Sequence, residues 1–297
     1  MLKLRAMQLT LVVPDLAAVP DEHRFGSPTT LDVDLDTAIV VAAGAARDTP
    51  IAPLAARGAG FDPGNAYTLR ADPVAFVAGR DDVLLAGRVD DLTVDEAHAL
   101  QAALNRHFAL DHLEFHTPRA DAWFVTASEH VPVVTHSLAS IGGPIAPHLP
   151  EGDNGRIWRR WLSEMQMILH GSSVNEAREA AGRAPVTGIW IAGGGVMPRE
   201  LRIDATIYAT EGYRGDVARG LSTSAAIADK FADIAGTTHA LVVASTASLA
   251  RDWLDPALAA LDRGTLERFD LIGERGGSTL RWSAARRSWW RRMLGGS

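Results

Sequence analysis

The chain contains no cysteine. Disulfide bonds, thiolate zinc sites and a cysteine nucleophile are therefore excluded. Aromatic residues make up only 6% of the chain, and no run of apolar residues is long enough to cross a membrane as a helix. Acidic residues outnumber basic ones, which gives a formal net charge of −7. This balance argues against nucleic acid as the main partner.

What is present is typical of a globular protein. The 297 residues are 47% hydrophobic and 22% charged, which is enough for one large domain or two ordinary ones. Near the N-terminus, Lys3 and Arg5 precede a short apolar run, Met7–Val13, that faintly resembles a signal peptide. Pro14 and Asp15 end this run too early for a leader. We therefore interpret it as the first core strand and expect a cytoplasmic protein.

The most informative segment is SVNEAREAAGRAPVTGIWIAGGGVMP at residues 173–198. It predicts a short charged helix, a stop at Gly182, and an apolar strand that runs into Gly193, Gly194 and Gly195. Ligands of α/β proteins bind at the ends of such strands. The three glycines could cradle an anion with their backbone N–H groups, or form a turn that needs a positive φ.

Strand-like and helix-like patterns of apolar residues alternate along the chain, and their order predicts an α/β protein with an insertion. Two short strands flank a turn at residues 79–82, and Thr93 begins a helix with Glu96 in a capping box. Two further strands follow. We therefore predict an inserted α+β subdomain at residues 68–135 and an α/β core formed by residues 1–67 and 136–297.

Several local predictions concern single elements. Three prolines and three glycines in residues 49–64 predict irregular structure with at most one helical turn. Asn154 is positioned to cap a long amphipathic helix, and residues 224–234 predict another helix. Gly276 and Gly277 predict a hairpin near the end of the chain.

Several stretches together resemble a known family. They are GFDPGNAYTLRADPVAF at residues 60–76, LTVDEAHALQAALNRHF at residues 92–108, and VNEAREAAGRAP followed by GIWIAGGG. With these stretches the chain resembles the archaeal-type cofactor-independent phosphoglycerate mutases of the alkaline-phosphatase superfamily. It resembles still more closely their bacterial offshoot, the RpfE-type regulatory proteins. The resemblance implies an alkaline-phosphatase-like α/β/α core with an inserted small α+β subdomain.

The chain departs from this family at the residues that carry chemistry. The resemblance implies a two-metal site and a serine nucleophile in an SDTAH-like stretch, but residues 47–50 read RDTP. Asp15 alone matches a metal ligand of the family, and one carboxylate cannot assemble a two-metal site. The resemblance therefore implies a catalytically inactive relative that needs no cofactor. If the chain is instead an active phosphoglycerate mutase or phosphatase, it requires a divalent metal, Mn or Zn.

Other candidate ligand-binding residues lie outside the glycine run. Asn175 and Arg178 are three residues apart and share a helix face, where they could grip a phosphate or lock the helix in place. Arg70 could line a cleft, or pair with Asp72 at a hinge. His136 lies in a loop where the resembled mutases also carry a histidine.

The expected role is regulation through a small phosphorylated or carboxylated metabolite, or through a protein partner. The spacing of His107, His112 and His116 does not form a metal motif, and we interpret Trp190 as a core residue. An alternative is an interaction protein that acts through its basic, tryptophan-rich C-terminal tail. That tail contains Arg281, Trp282, Arg286, Arg287, Trp289, Trp290, Arg291 and Arg292.

Overall fold

A computed structural model describes residues 7–14, 16, 25, 27–80, 82–129, 131–138, 143–244 and 249–285. The strands are β1 (Met7–Val13), β2 (Thr29–Thr30), β3 (Tyr67–Ala78), β4 (Val83–Arg88), β5 (Leu113–Arg119), β6 (Ala122–Ala127), β7 (Gly188–Gly195), β8 (Thr206–Ala209), β9 (His239–Val243), β10 (Leu266–Arg275) and β11 (Ser278–Ala285). The α-helices are α1 (Leu35–Ala42), α2 (Ile51–Gly58), α3 (Val94–Phe108), α4 (Gly155–His170), α5 (Ser173–Ala180), α6 (Tyr213–Leu221) and α7 (Asp255–Arg263). Within these residues, no helix is long and apolar enough to span a membrane.

The chain forms two units of mixed α/β structure. The first comprises Met1–Thr49 and Glu200–Ser297, and the second is Pro50–Arg199. The predicted insertion, residues 68–135, lies inside the second unit, which begins earlier and ends later than predicted. The boundaries differ because β7 pairs with β3 in the same sheet. That pairing brings α4 and α5, which precede β7, into the second unit.

The first unit is built on a six-stranded sheet in the order β2-β11-β10-β1-β9-β8. Strands β10, β1, β9 and β8 are parallel, whereas β11 and β2 are antiparallel additions. The run that was interpreted as the first core strand is β1, which is buried from Leu9 onward. Helix α7 packs in the core that includes Leu9 and Leu11, so this face of the sheet is covered.

The predicted hairpin is confirmed as β10 and β11, joined at Gly276–Gly277. Two residues assigned to the basic tail, Arg281 and Trp282, are part of β11, and Trp282 is fully buried in the core. The tail therefore begins later than predicted. Its other members lie outside the described residues: Arg286, Arg287, Trp289, Trp290, Arg291 and Arg292.

The second unit has a five-stranded sheet in which β4, β3, β6 and β5 follow one another and β7 also pairs with β3. Its main core joins α3 and α4 to one face of the sheet, with Phe108, Trp123 and Trp158 fully buried or nearly so. Helix α3 begins at the predicted capping box, in which Thr93 accepts from the Glu96 amide and Glu96 accepts from the Thr93 amide.

Three local predictions differ from the structure for identifiable reasons. Residues 51–58 form helix α2 because Pro53 lies in the first turn, where its missing N–H costs nothing. Residues 224–234 form only one 3₁₀ turn, Phe231–Ile234, which the Asp233 carboxylate caps by accepting from the amides of Asp229 and Lys230. Asn154 is the N-cap residue of α4 as predicted, but its side chain donates to the carbonyl of Pro132 instead of making the expected capping bond.

The start of α6 depends on the absence of a side chain at Gly215. A Cβ there would lie 1.8 Å from the carbonyl oxygen of Thr210, so we expect Gly215→Ala to lower the free energy of unfolding by about 3 kcal/mol. Urea unfolding measures this loss. Gly143→Ala is the matched control, since a Cβ there meets nothing within 4 Å. Equal stability of the two variants would contradict the close approach.

Candidate functional site

One face of the second unit's sheet carries polar groups near its centre. On β3, Arg70 and Asp72 alternate with Leu69 and Ala71, which point into the main core. Trp190 on β7 lies directly opposite Asp72 and belongs to a smaller cluster on the side away from that core. We call the face that carries Arg70, Asp72 and Trp190 the outer face.

Two arginines meet one buried carboxylate on the outer face. Arg70 donates through Nε, at 2.8 Å, and through Nη2, at 2.7 Å, to the same oxygen of Asp72. Arg88 at the end of β4 reaches that oxygen from 3.4 Å and also pairs with the exposed Asp90. Arg70 therefore makes the ion pair with Asp72 that the sequence suggested. Its side chain remains 14% exposed.

Arg88 was missed as a candidate, although its pattern was available in the sequence. Arginine followed two residues later by aspartate also occurs at Arg119 and Arg268, and each of these pairs is bonded in the structure. Residues i and i+2 of a strand lie on the same face, so this spacing favours an ion pair. What the spacing could not show is that Arg88 also approaches Asp72.

His136 lies beside Trp190 on the outer face. The indole Nε1 of Trp190 donates to the carbonyl of His136 at 2.9 Å. Trp190 is 3% exposed and packs with Val74 and Ile145, which confirms its interpretation as a core residue. The structure thus places the backbone of His136 against Trp190, on the face that carries Arg70.

The glycine run forms a β-bulge. In the pairing of β7 with β3, Gly193 and Gly194 together stand opposite the single residue Leu69. Gly193 has φ +68°, the left-handed conformation that glycine adopts at such bulges. A Cβ on Gly194 would lie 2.4 Å from the hydroxyl oxygen of Tyr67. Positive φ therefore explains Gly193, and tight packing explains Gly194.

The bulge lies beside the first turn of α2. A Cβ on Gly193 would lie 3.5 Å from the amide nitrogen of Ala52, and one on Gly195 would lie 2.4 Å from Pro50. Helix α2 has no side-chain cap, and Gly193 is exposed. Exposed glycine backbone beside the positive end of a helix is an arrangement that attracts anions. Whether an anion binds here stays a prediction.

Asn175 serves as a clamp inside the second unit. Its amide nitrogen donates to the carbonyls of Leu169, at 2.7 Å, and Val186, at 2.8 Å, and its amide oxygen accepts from the Val186 N–H at 2.8 Å. The residue is 4% exposed. With these bonds, Asn175 joins the end of α4 to the segment that leads into β7. It holds the backbone in place and faces no open site.

Arg178, like Asn175, holds the backbone of the second unit in place, and its side chain is fully buried. Its Nε donates to the carbonyl of Ala184 at 2.8 Å, and its two terminal nitrogens donate to Glu96, at 3.0 Å, and to Asp91. Arg183 binds the same two carboxylates from the surface. Of the two roles that the sequence left open for Asn175 and Arg178, these bonds favour the structural lock.

The locking arginines change the acidity of their partners. Hydrogen bonds from Arg178 and then Arg183 hold the pKa of Asp91 below its usual value. Burial acts to raise the pKa of Glu96, but the Thr93 amide and the two arginines more than offset it, so the net shift is downward. Both carboxylates are therefore stabilised in the ionised form.

The candidate metal ligands do not converge in the described residues. Asp15 lies outside them, and within them no three His, Asp or Glu side chains could hold a metal ion. His107 bonds Glu164 at 3.0 Å, whereas His116 bonds Thr126 at 3.0 Å and stacks on a phenylalanine ring. Burial lowers the pKa of His116. The metal role of Asp15 therefore stays a prediction.

A further cluster lies at the carboxyl edge of the first unit's parallel sheet. Arg214, in the first turn of α6, donates to Asp36 at 3.0 Å and to Glu274 at 2.7 Å. Burial acts to lower the pKa of Arg214, but the charges of the two carboxylates raise it above its usual value. No sequence spacing links these three residues, because each comes from a different part of the chain.

Comparison with known proteins supports the fold. The sequence matches no family model and no curated protein. The structure is similar to that of the PH0037 protein from Pyrococcus horikoshii, with a TM-score of 0.53 and 12% identity over 96% of this chain and 88% of that one. A cofactor-independent phosphoglycerate mutase from Thermoplasma acidophilum aligns with a TM-score of 0.43 and 15% identity, over 94% and 90% of the two chains. At these identities the similarity to PH0037 shows a shared fold alone.

Removal of the buried guanidinium of Arg178 tests whether this side chain stabilises the second unit. We expect Arg178→Ala to lower the free energy of unfolding by about 3 kcal/mol, because it leaves a cavity and unpaired polar groups. Urea unfolding measures the change. Arg106→Ala on the exposed side of α3 is the control and should cost less than about 0.5 kcal/mol. An Arg178→Ala variant as stable as this control would rule out the lock.

The lowered pKa values of Asp91 and Glu96 predict acid sensitivity. Their contribution to stability is fully present above about pH 5 and is lost as the pH falls through their folded-state pKa values. We expect the urea midpoint to drop between about pH 5 and pH 3. This drop should be shallower in Arg178→Met and unchanged in Arg106→Met. Parallel pH profiles of wild type and Arg178→Met would contradict the assignment.

Proposed function

We propose that the chain is a regulatory or metabolite-binding protein of the phosphoglycerate-mutase type, related to the RpfE-type regulators, that does not transfer phosphoryl groups. Its ligand is a small phosphorylated or carboxylated metabolite, and it needs no cofactor. The sequence resemblance over residues 60–76, 92–108 and 174–195 supports the relationship. The observation that carries the binding role is the exposed Gly193 bulge beside the first turn of α2.

The chemistry of the bulge suits a small anion. Gly193 lies next to the helix start, because a Cβ there would contact the Ala52 amide nitrogen at 3.5 Å. The backbone N–H groups at a helix start carry partial positive charge. Arg70 stands opposite Ala192, the residue directly before the bulge, in the register of β3 and β7. A guanidinium provides the planar donors that phosphate and carboxylate groups prefer.

The position expected for a nucleophile supports the inactive assignment. Thr49 is the hydroxyl residue nearest to the family's serine in the sequence, and it is 8% exposed. Its amide donates to the carbonyl of Ala46 at 3.1 Å, so the backbone is held in a turn. A nucleophile must reach its substrate and be activated by a base or a metal. A buried threonine followed by Pro50 is poorly placed for either task.

Calorimetry with 3-phosphoglycerate and with inorganic phosphate tests the binding role. We expect saturable heat from wild type and about tenfold weaker binding in Arg70→Met, because a charge-assisted contact is lost. Arg119→Met is the matched control, since Arg119 forms the same type of pair with Asp121 at 3.0 Å and should leave binding unchanged. No heat from wild type, or equal heat from all three proteins, would refute this site.

The inactive assignment has its own test. Purified protein should not convert phosphoglycerate when Mn²⁺ or Zn²⁺ is added. Metal-dependent turnover that disappears in Asp15→Asn would overturn the assignment and establish an active mutase or phosphatase. The calorimetric result is independent of this assay, because binding does not require turnover.

A further inference from the structure

Two histidines of the second unit have ring nitrogens that are buried and unbonded. They are Nε2 of His136 and Nδ1 of His148, neither of which has a hydrogen-bond partner among the described residues. The two rings are neighbours, with centroids 5.4 Å apart and planes at 82°. Buried polar atoms are nearly always paired, so two orphans on adjacent rings point to a shared ligand.

Both imidazoles are carried by anchored backbone. The carbonyl of His136 accepts from Trp190 at 2.9 Å, which fixes it to β7. The His148 amide donates to the carbonyl of Ile145 at 2.9 Å, and the Ile145 amide donates to the carbonyl of Val83 at 3.0 Å. Ile145 is itself buried in the cluster with Trp190. The ring pair is therefore positioned by the sheet.

The spacing of the rings distinguishes between possible ligands. Because zinc–nitrogen bonds are about 2.0–2.1 Å long, two imidazoles on one ion have ring centres roughly 5 to 6 Å apart. A bridging water, at about 2.8 Å from each nitrogen, would place the centres more than about 6 Å apart. The observed centroid separation of 5.4 Å lies in the range of the shorter bridge, and the rings meet edge to face.

We propose that His136 and His148 together bind one transition-metal ion, of which Zn²⁺ is the representative, with water completing its coordination. Imidazole nitrogen suits Zn, Cu, Fe and Ni, whereas Mg²⁺ and Ca²⁺ require oxygen ligands. Among the described residues, no third His, Asp or Glu joins the pair, so the open positions belong to water or to a ligand. The site shares no residue with Asp15, the metal ligand that the family resemblance implies.

A metal here would connect two separate stretches of chain. His136 lies in the segment after β6, and His148 ends the 3₁₀ turn Ala146–His148. One ion would tie these two stretches to each other. Its binding is testable without knowledge of the metabolite.

The site is tested by titrating the chelator-treated full chain with Zn²⁺ and measuring the binding by calorimetry. We expect one equivalent of Zn²⁺ per chain, and at least tenfold weaker binding in His136→Ala and in His148→Gln. His107→Ala is the matched control, because His107 is exposed and pairs with Glu164, and it should bind Zn²⁺ like wild type. Circular dichroism of the metal-free variants shows whether each one folds.

Titration with Co²⁺ provides a second readout in the same proteins. Intense visible absorption, which four-coordinate Co²⁺ gives and hexa-aqua Co²⁺ does not, should develop in wild type and be absent in folded His148→Gln. The proposal fails if wild type binds no Zn²⁺, or if the affinity is unchanged in both histidine variants. It also fails if binding survives both of them and is lost in Asp15→Asn.

Discussion

The buried guanidinium of Arg178 is the interaction on which the organisation of the second unit depends. An unpaired cation would be highly unfavourable in this buried place, and Arg178 donates there to the Ala184 carbonyl, Glu96 and Asp91. The Glu96 carboxylate that binds it also completes the capping box of α3. The start of one helix, the position of another and the approach to β7 are thus coupled through one side chain.

The fold could be predicted where its signals are local. The capping box at Thr93, the hairpin at Gly276–Gly277 and the first core strand depend on residues a few positions apart, and all three are confirmed. The pairing of β7 with β3 joins residues more than a hundred positions apart, and no local pattern encodes it. For that reason the extent of the second unit was underestimated.

The same distinction explains the outcome at the candidate site. Helical spacing correctly placed Asn175 and Arg178 on one face, but their partners are backbone carbonyls and carboxylates that only tertiary structure identifies. The glycine run predicted unusual backbone, and a bulge was found, yet its neighbour α2 had been expected to be irregular. The segment at residues 173–198 therefore has a structural part, in α5, and an exposed part, at Gly193.

The connectivity of the first unit has a consequence for biosynthesis. Its central strand, β1, pairs with β9 and β10, which are made only after residues 50–199 have left the ribosome. The second unit is continuous in sequence and can fold during synthesis, whereas β1 must wait with an unpaired apolar edge. High contact order slows folding and exposes such edges to aggregation. Assembly of this sheet is therefore slower, and β1 is unpaired for longer, than in a sheet assembled in chain order.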